Sequence, residues 1–215
     1  MKYLFEIEIE LNKFWKWSKM SNVEYSQTPD YGNWETEYDE WDDIYNAVSK
    51  TILLINQKKE ENKLCNFLLD AIAIDNENGI VIRKCEIELY SLKKLYAISV
   101  NHMQPEARRQ ISESIGKRED MDGLNYLREL VNDENKYVQR SALISLKKLD
   151  ITQAEQIALK KIFDDDEYIR LFSVQLLKEI SSKKLLEIAE LLKDDKSEFI
   201  QYEVKHIRHG EGSCT

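Results

Sequence analysis

The residues able to do chemistry fall in two places. His206 and His209 stand three apart with Cys214 downstream, a spacing that sets two imidazoles on one helix face. A structural zinc takes four such ligands. No fourth is at hand, and Gly210-Glu211-Gly212-Ser213 reads as a flexible tail, so no metal site is expected. The second place is the carboxylate group Asp39, Glu40, Asp42 and Asp43. Carboxylate pairs work as general acid and base only when their surroundings push their proton affinities apart. Nothing in this spacing favours that over solvation. No GxxxxGK phosphate cradle, GxSxG elbow or HExxH helix occurs. The expectation is a binding protein without catalytic residues, metal or cofactor.

The charge points to a class of partner. The net charge is −9, and Met20 to Ser49 alone carries eight acids and no lysine or arginine, leaving −1 for the other 185 residues. A nucleic-acid binder needs a basic stripe to neutralise phosphates, so no nucleic acid is expected. A cationic protein fits. No apolar run nears the roughly 20 residues that span a bilayer, and Met1-Lys2-Tyr3-Leu4-Phe5-Glu6 puts an acid where a signal peptide would be apolar. A cytoplasmic protein with no membrane contact is expected. Three cysteines without a CxxC pair suggest no disulfide framework, and Cys65 and Cys85 sit in apolar periodic runs as small core residues.

The elements that position these residues are helices. Two prolines and six glycines in 215 residues, with many Leu, Ile, Lys and Glu, favour an all-α fold. The C-terminal half repeats at 31 residues: Asp133, Asp164 and Asp195; Tyr137, Tyr168 and Phe199; Val138, Ile169 and Ile200; Ala142, Ser173 and Val204. Within each copy the apolar positions follow a 3.6 period, as in Val138, Ala142, Leu146 and Leu149. Each unit is a helix pair whose second helix starts after acids that accept the free N–H groups of its first turn. Earlier copies begin at Gln104-Pro105 and at Gly79, with Val81 on Val138, Cys85 on Ala142 and Leu89 on Leu146; Glu60 to Ile74 is the first helix of the earliest pair.

The Asp at the inter-helix turn, the apolar-Arg pair, the small residue and the leucine resemble HEAT repeats of the short kind found in phycobilisome-lyase-like proteins. The resemblance spans about residues 60 to 208. It implies a HEAT-like α-solenoid of four to five helix pairs, with a frayed last copy in which Arg208 stands in the Leu177 column. Three segments are expected: residues 1–57 as an N-terminal helical cap, 58–208 as the repeat array and 209–215 as a flexible tail.

The cap holds all four tryptophans and 11 of the 21 aromatic residues. Trp34, Tyr38, Trp41, Tyr45, Val48, Ile52 and Ile55 advance by threes and fours, predicting one continuous helix from near Asn33 with an apolar stripe packed on the first repeats. Glu35, Glu37, Asp39, Glu40, Asp42 and Asp43 then avoid the stripe and face water or a partner. Residues 3–11 read as helix or strand, with helix preferred because no second strand exists to pair with. Met20 to Gly32 reads as a loop. The expected partner-binding residues are Glu35, Glu37, Asp39, Glu40, Asp42 and Asp43, with Trp34 and Tyr38. The partner expected is a basic toxin domain of nuclease type, neutralised as an immunity protein would do it, although no immunity motif is present. Two alternatives stand: a regulatory or assembly scaffold gripping a protein near Arg83, Arg109, Arg140 and Arg170, and a HEAT-like DNA glycosylase or lyase-like enzyme.

Overall fold

The computed structural model describes residues 5–28, 34–58 and 61–208, and every regular element among them is helical. The chain divides into two compact units, residues 1–145 and 146–215. No helix among the described residues is long and apolar enough to cross a membrane.

In the first unit, α1 (Glu6–Ser18) buries Ile7, Glu10, Leu11 and Phe14 along one face, so the ambiguous opening segment is helix. Its acids Glu6 and Glu8 lie in the first turn, and Lys19 closes it in the left-handed region at φ 57°. A short α2 (Asn22–Ser26) follows inside the stretch expected to be loop. Its signal was present in the sequence: Ser21 Oγ accepts from Glu24 N at 3.1 Å while the Glu24 carboxylate accepts from Ser21 N at 2.7 Å, a capping box. Next come α3 (Trp41–Asn56) and α4 (Glu61–Ile74). Helix α4 buries nine side chains, from Leu64 to Ile74, and packs on α1, α3, α6 (Leu89–Ser99) and α7 (Pro105–Arg118), so it is the centre of this unit. Helix α5 (Ile80–Ile87) ends where Glu88 leaves helical geometry at φ −107°, ψ 88°. Leu89 therefore opens α6 and is 50% exposed, which corrects its expected alignment with the buried Leu146. Helices α8 (Leu124–Leu130) and α9 (Lys136–Leu149) form the next pair. Gly116 in α7 permits a close approach, since a Cβ there would lie 2.3 Å from Ser145 Oγ and 2.7 Å from Ser145 Cα. The second unit continues with α10 (Ile151–Lys161), α11 (Glu167–Glu179), α12 (Leu185–Leu191) and α13 (Glu198–Arg208).

The 31-residue columns take equivalent places. Val138, Ile169 and Ile200 are all buried, as are Leu146 and Leu177. Asp133, Asp164 and Asp195 each accept from the backbone N–H two residues on, at Asn135, Asp166 and Ser197. Their place is the turn, and the helix cap itself falls two residues later. Asn135 Oδ1 accepts from Tyr137 and Val138 N, and Asp166 Oδ1 accepts from Ile169 N.

A further column holds the turns together. Arg108, Gln139, Arg170 and Gln201 are spaced by 31, and each donates to a carbonyl six residues earlier, at His102, Asp133, Asp164 and Asp195. Where the residue is arginine, the other guanidinium nitrogens fork onto the aspartate 25 residues later. Arg108 Nε and Nη2 reach Asp133 at 2.7 and 2.9 Å, and Arg170 Nε and Nη2 reach Asp195 at 3.0 and 2.8 Å. Both pairs are buried, so geometry this complete is what keeps their desolvation from dominating.

Candidate interaction surface of the N-terminal segment

Phe14 of α1, fully buried, is the hub on which the aromatic residues gather. Its ring centroid lies 5.1 Å from Trp15, 5.3 Å from Tyr38, 5.7 Å from Trp17, 6.0 Å from Trp41 and 6.2 Å from Trp34. The contacts to Trp15 and Tyr38 are edge-to-face, a geometry that favours aromatic pairs beyond their buried area, those to Trp17 and Trp41 are tilted, and that to Trp34 is stacked. The predicted single helix from near Asn33 is not formed. Asn33 lies outside the described residues, Trp34–Glu37 is one 3-10 turn, and α3 starts only at Trp41. The break has a cause in the side chains. Trp41 Nε1 donates to the Glu35 carbonyl at 2.8 Å, and Tyr25 Oη donates to Glu35 Oε1 at 2.8 Å, tying the turn inward where a straight helix would carry it past. From Trp41 on, the stripe holds: Trp41 stacks on Tyr45 at 5.4 Å, and Val48, Ile52 and Ile55 are buried.

The carboxylates separate into three kinds. Glu35, expected to face water, is 1% exposed, and its Oε2 has no hydrogen-bond partner among the described residues. Burial holds its carboxyl above the ordinary range against the opposing hydrogen bonds, with Glu77 and Glu106 adding to the rise. It is a docking residue of the segment, so its place among the partner-binding residues is corrected. Glu40 is exposed but paired: Lys13 Nζ lies 3.1 Å from Glu40 Oε2 and 2.9 Å from Glu10 Oε2. Those two carboxylates hold the Lys13 ammonium well above its usual range. Glu10, Glu40 and Asp43 bring their oxygens within 4.8 Å of one another, and Lys13 already supplies that cluster with a cation. Glu37, Asp39, Asp42 and Asp43 are exposed and have no ion pair or hydrogen bond to any side chain among the described residues.

Of the two aromatic residues expected at the contact, Tyr38 is 5% exposed, and burial raises its hydroxyl to about 12. Trp34 is half-buried between Phe14 and Trp17. Tyr38 packs inward and leaves a partner almost no surface, which corrects its reading as an anchor, whereas Trp34 keeps part of its ring open. Tyr45 Oη donates to Asp75 Oδ1 at 3.3 Å, while Asp75 Oδ2 accepts from Val81 N at 2.6 Å, linking α3 to the start of α5.

The arginines considered for a gripping face each have a contact within the fold. Arg109 bonds Glu106 and Glu113, Arg83 bonds the Asn78 carbonyl, Arg140 lies over the Tyr137 ring, and Arg170 clamps Asp195. Arg108, which makes the matching clamp in the first unit, stood one residue away from the arginine the alignment selected. Of the residues drawn as a metal site, His206 is on α13 with Nδ1 at 2.7 Å from the Tyr202 carbonyl, and His209 and Cys214 lie outside the described residues.

A family model of HEAT repeats matches residues 92–178, from α6 into α11. No curated protein matches the chain. In fold class this is an all-α, HEAT-like repeat protein, and repeats of that kind are typically non-catalytic scaffolds for protein interaction.

Proposed function

We propose that the chain is a non-catalytic binding protein that takes a cationic protein partner on Glu37, Asp39, Asp42 and Asp43. In its specific form, the partner is a basic toxin domain of nuclease type, and the protein neutralises it by covering its site. The observation that carries the reading is four exposed carboxylates that form no ion pair among the described residues, Asp43 lying beside the cluster that Lys13 serves, on a segment anchored by the Phe14 aromatic cluster. Exposed helices ordinarily intersperse both signs, and like charges gathered on one face repel. A nuclease site lined with lysine and arginine relieves that repulsion and is drawn in by the same field. The mutual packing of the aromatic rings around the buried Phe14 supports a preorganised surface, which loses little order on binding.

The test takes as candidate partner a basic nuclease-type protein, sought first among the products of the adjacent genes. Inhibition of its nuclease activity at one-to-one stoichiometry is the expected result. Replacing Glu37, Asp39, Asp42 and Asp43 by Gln and Asn should then slow association by about tenfold or more at low salt and flatten its salt dependence, with stability unchanged or slightly raised. Inhibition and association rate both unaltered in that variant would refute the acidic contact and favour the regulatory or assembly scaffold.

A further inference from the structure

A groove in the first unit lies at a place the charge pattern did not single out. It measures about 410 Å³ and runs between residues 100–103, ahead of α7, and residues 129–134, ahead of α9. Val100 and Leu130 give it apolar lining, and Met103, 48% exposed, stands at its edge. Arg108 forms part of the wall, but its guanidinium is occupied by Asp133 and by the carbonyls of His102 and Met103. That pair cancels, so the field in the groove is set by Glu129 and Glu134. Both are exposed. Glu134 meets Arg108 only at 3.4 Å, beyond the length of a strong charged hydrogen bond, and Glu129 has no ion pair or hydrogen bond to a side chain among the described residues.

We propose that this groove seats an arginine or lysine side chain of a protein partner, with the aliphatic stem on Val100, Leu130 and Met103 and the cationic head between Glu129 and Glu134. The chemistry selects that class. An anion finds no free cation here, and a wholly apolar side chain would cover two carboxylates without pairing them. A basic side chain satisfies both demands, since its stem is apolar and its tip is charged. The volume lies within the about 300–1,000 Å³ of ligand-sized clefts, so the groove takes one such side chain together with part of its backbone. The inference rests on the reading that the partner is cationic and gives that partner a second contact, in the repeats.

The full chain, labelled with nitrogen-15, is titrated in separate arms with Nα-acetyl-arginine amide, Nα-acetyl-lysine amide and Nα-acetyl-glutamate amide. One or both basic probes should shift the amides of residues 100–103 and 129–134 saturably, and the arms tell guanidinium from ammonium. The glutamate probe should leave them in place. Glu129→Gln with Glu134→Gln, both at exposed sites, should remove the shifts while leaving the rest of the spectrum intact. Neutralising Glu37, Asp39, Asp42 and Asp43 should leave the groove shifts unchanged. Shifts confined to residues 37–43 would overturn the groove and keep the acidic face. Equal shifts with the glutamate probe, or groove shifts that survive the Glu129 and Glu134 replacements, would overturn it as well.

Discussion

Arg170→Ala removes four hydrogen bonds at once, two to Asp195 and two to the carbonyls of Asp164 and Asp165. The guanidinium and the Asp195 carboxylate are both more than nine-tenths buried, so solvent screens their attraction little. Removing one partner of such a pair costs about 3–5 kcal/mol, because the other charge stays buried and unpaired. For a chain of this length that is a fall in Tm of roughly 10 °C. Asp195→Ala should cost a similar amount, since it also loses the turn bond from Ser197 N. The double variant should lose far less than the sum, with a coupling of about 2 kcal/mol or more, because no charge is then stranded. Urea unfolding followed by far-ultraviolet circular dichroism gives all three values. Gln139→Ala, with a single carbonyl bond at 2.6 Å, should cost only about 1 kcal/mol and serves as the scale. Strictly additive losses, or an Arg170→Ala cost below about 1 kcal/mol as for an exposed pair, would refute the clamp.

Glu35→Gln should abolish a pH dependence. The folded carboxyl holds its proton more tightly than the unfolded one, so the contribution of Glu35 to stability is full below about pH 4.5 and is lost as pH rises through the raised folded value; urea midpoints at about pH 5 and about pH 8 should differ in the wild type more than in the variant. An alanine at an exposed helical glycine gains up to about 1 kcal/mol, but Gly116→Ala should lose about 1–3 kcal/mol, since its Cβ would meet the Ser145 backbone at 2.7 Å. A stabilised variant would refute that close approach. Leu177→Ala should cost about 2–5 kcal/mol, and an unchanged thermal midpoint would remove it from the core.

The repeats were legible because burial acts on every copy alike, so Val138, Ile169 and Ile200 keep both character and spacing. The clamp was harder to read. Arg108, Gln139, Arg170 and Gln201 share the period, yet arginine and glutamine differ in charge, and Arg109 and Arg140 in the next column drew the alignment to themselves. Spacing by threes and fours made Trp34 to Ile55 look like one helix, because periodicity cannot register the hydrogen bonds that Trp41 and Tyr25 send back to Glu35. The same bonds explain Glu35: it stands in an acidic stretch, two residues before Glu37, whereas its burial comes from Tyr25, distant by ten residues. Helix α2 was marked by Ser21 and Glu24, a cue outweighed by the Ser, Asn, Thr and Pro around it. The groove carried no sequence signal, since Met103 and Glu129 meet only through the turns that the helices set side by side.

All four tryptophans, at positions 15, 17, 34 and 41, belong to the first unit, and residues 146–215 contain none. The indole emission of the intact protein therefore watches the aromatic cluster alone and is blind to the second unit, whereas circular dichroism sees helices in both. One sample thus carries two optical clocks: a spread between the fluorescence and dichroism transitions measures how independently the two units melt, and their coincidence measures a single cooperative step. Arg170→Ala should displace the dichroism curve, while Glu35→Gln acts on the unit that the fluorescence reports. No label or engineered probe is needed to tell the two apart.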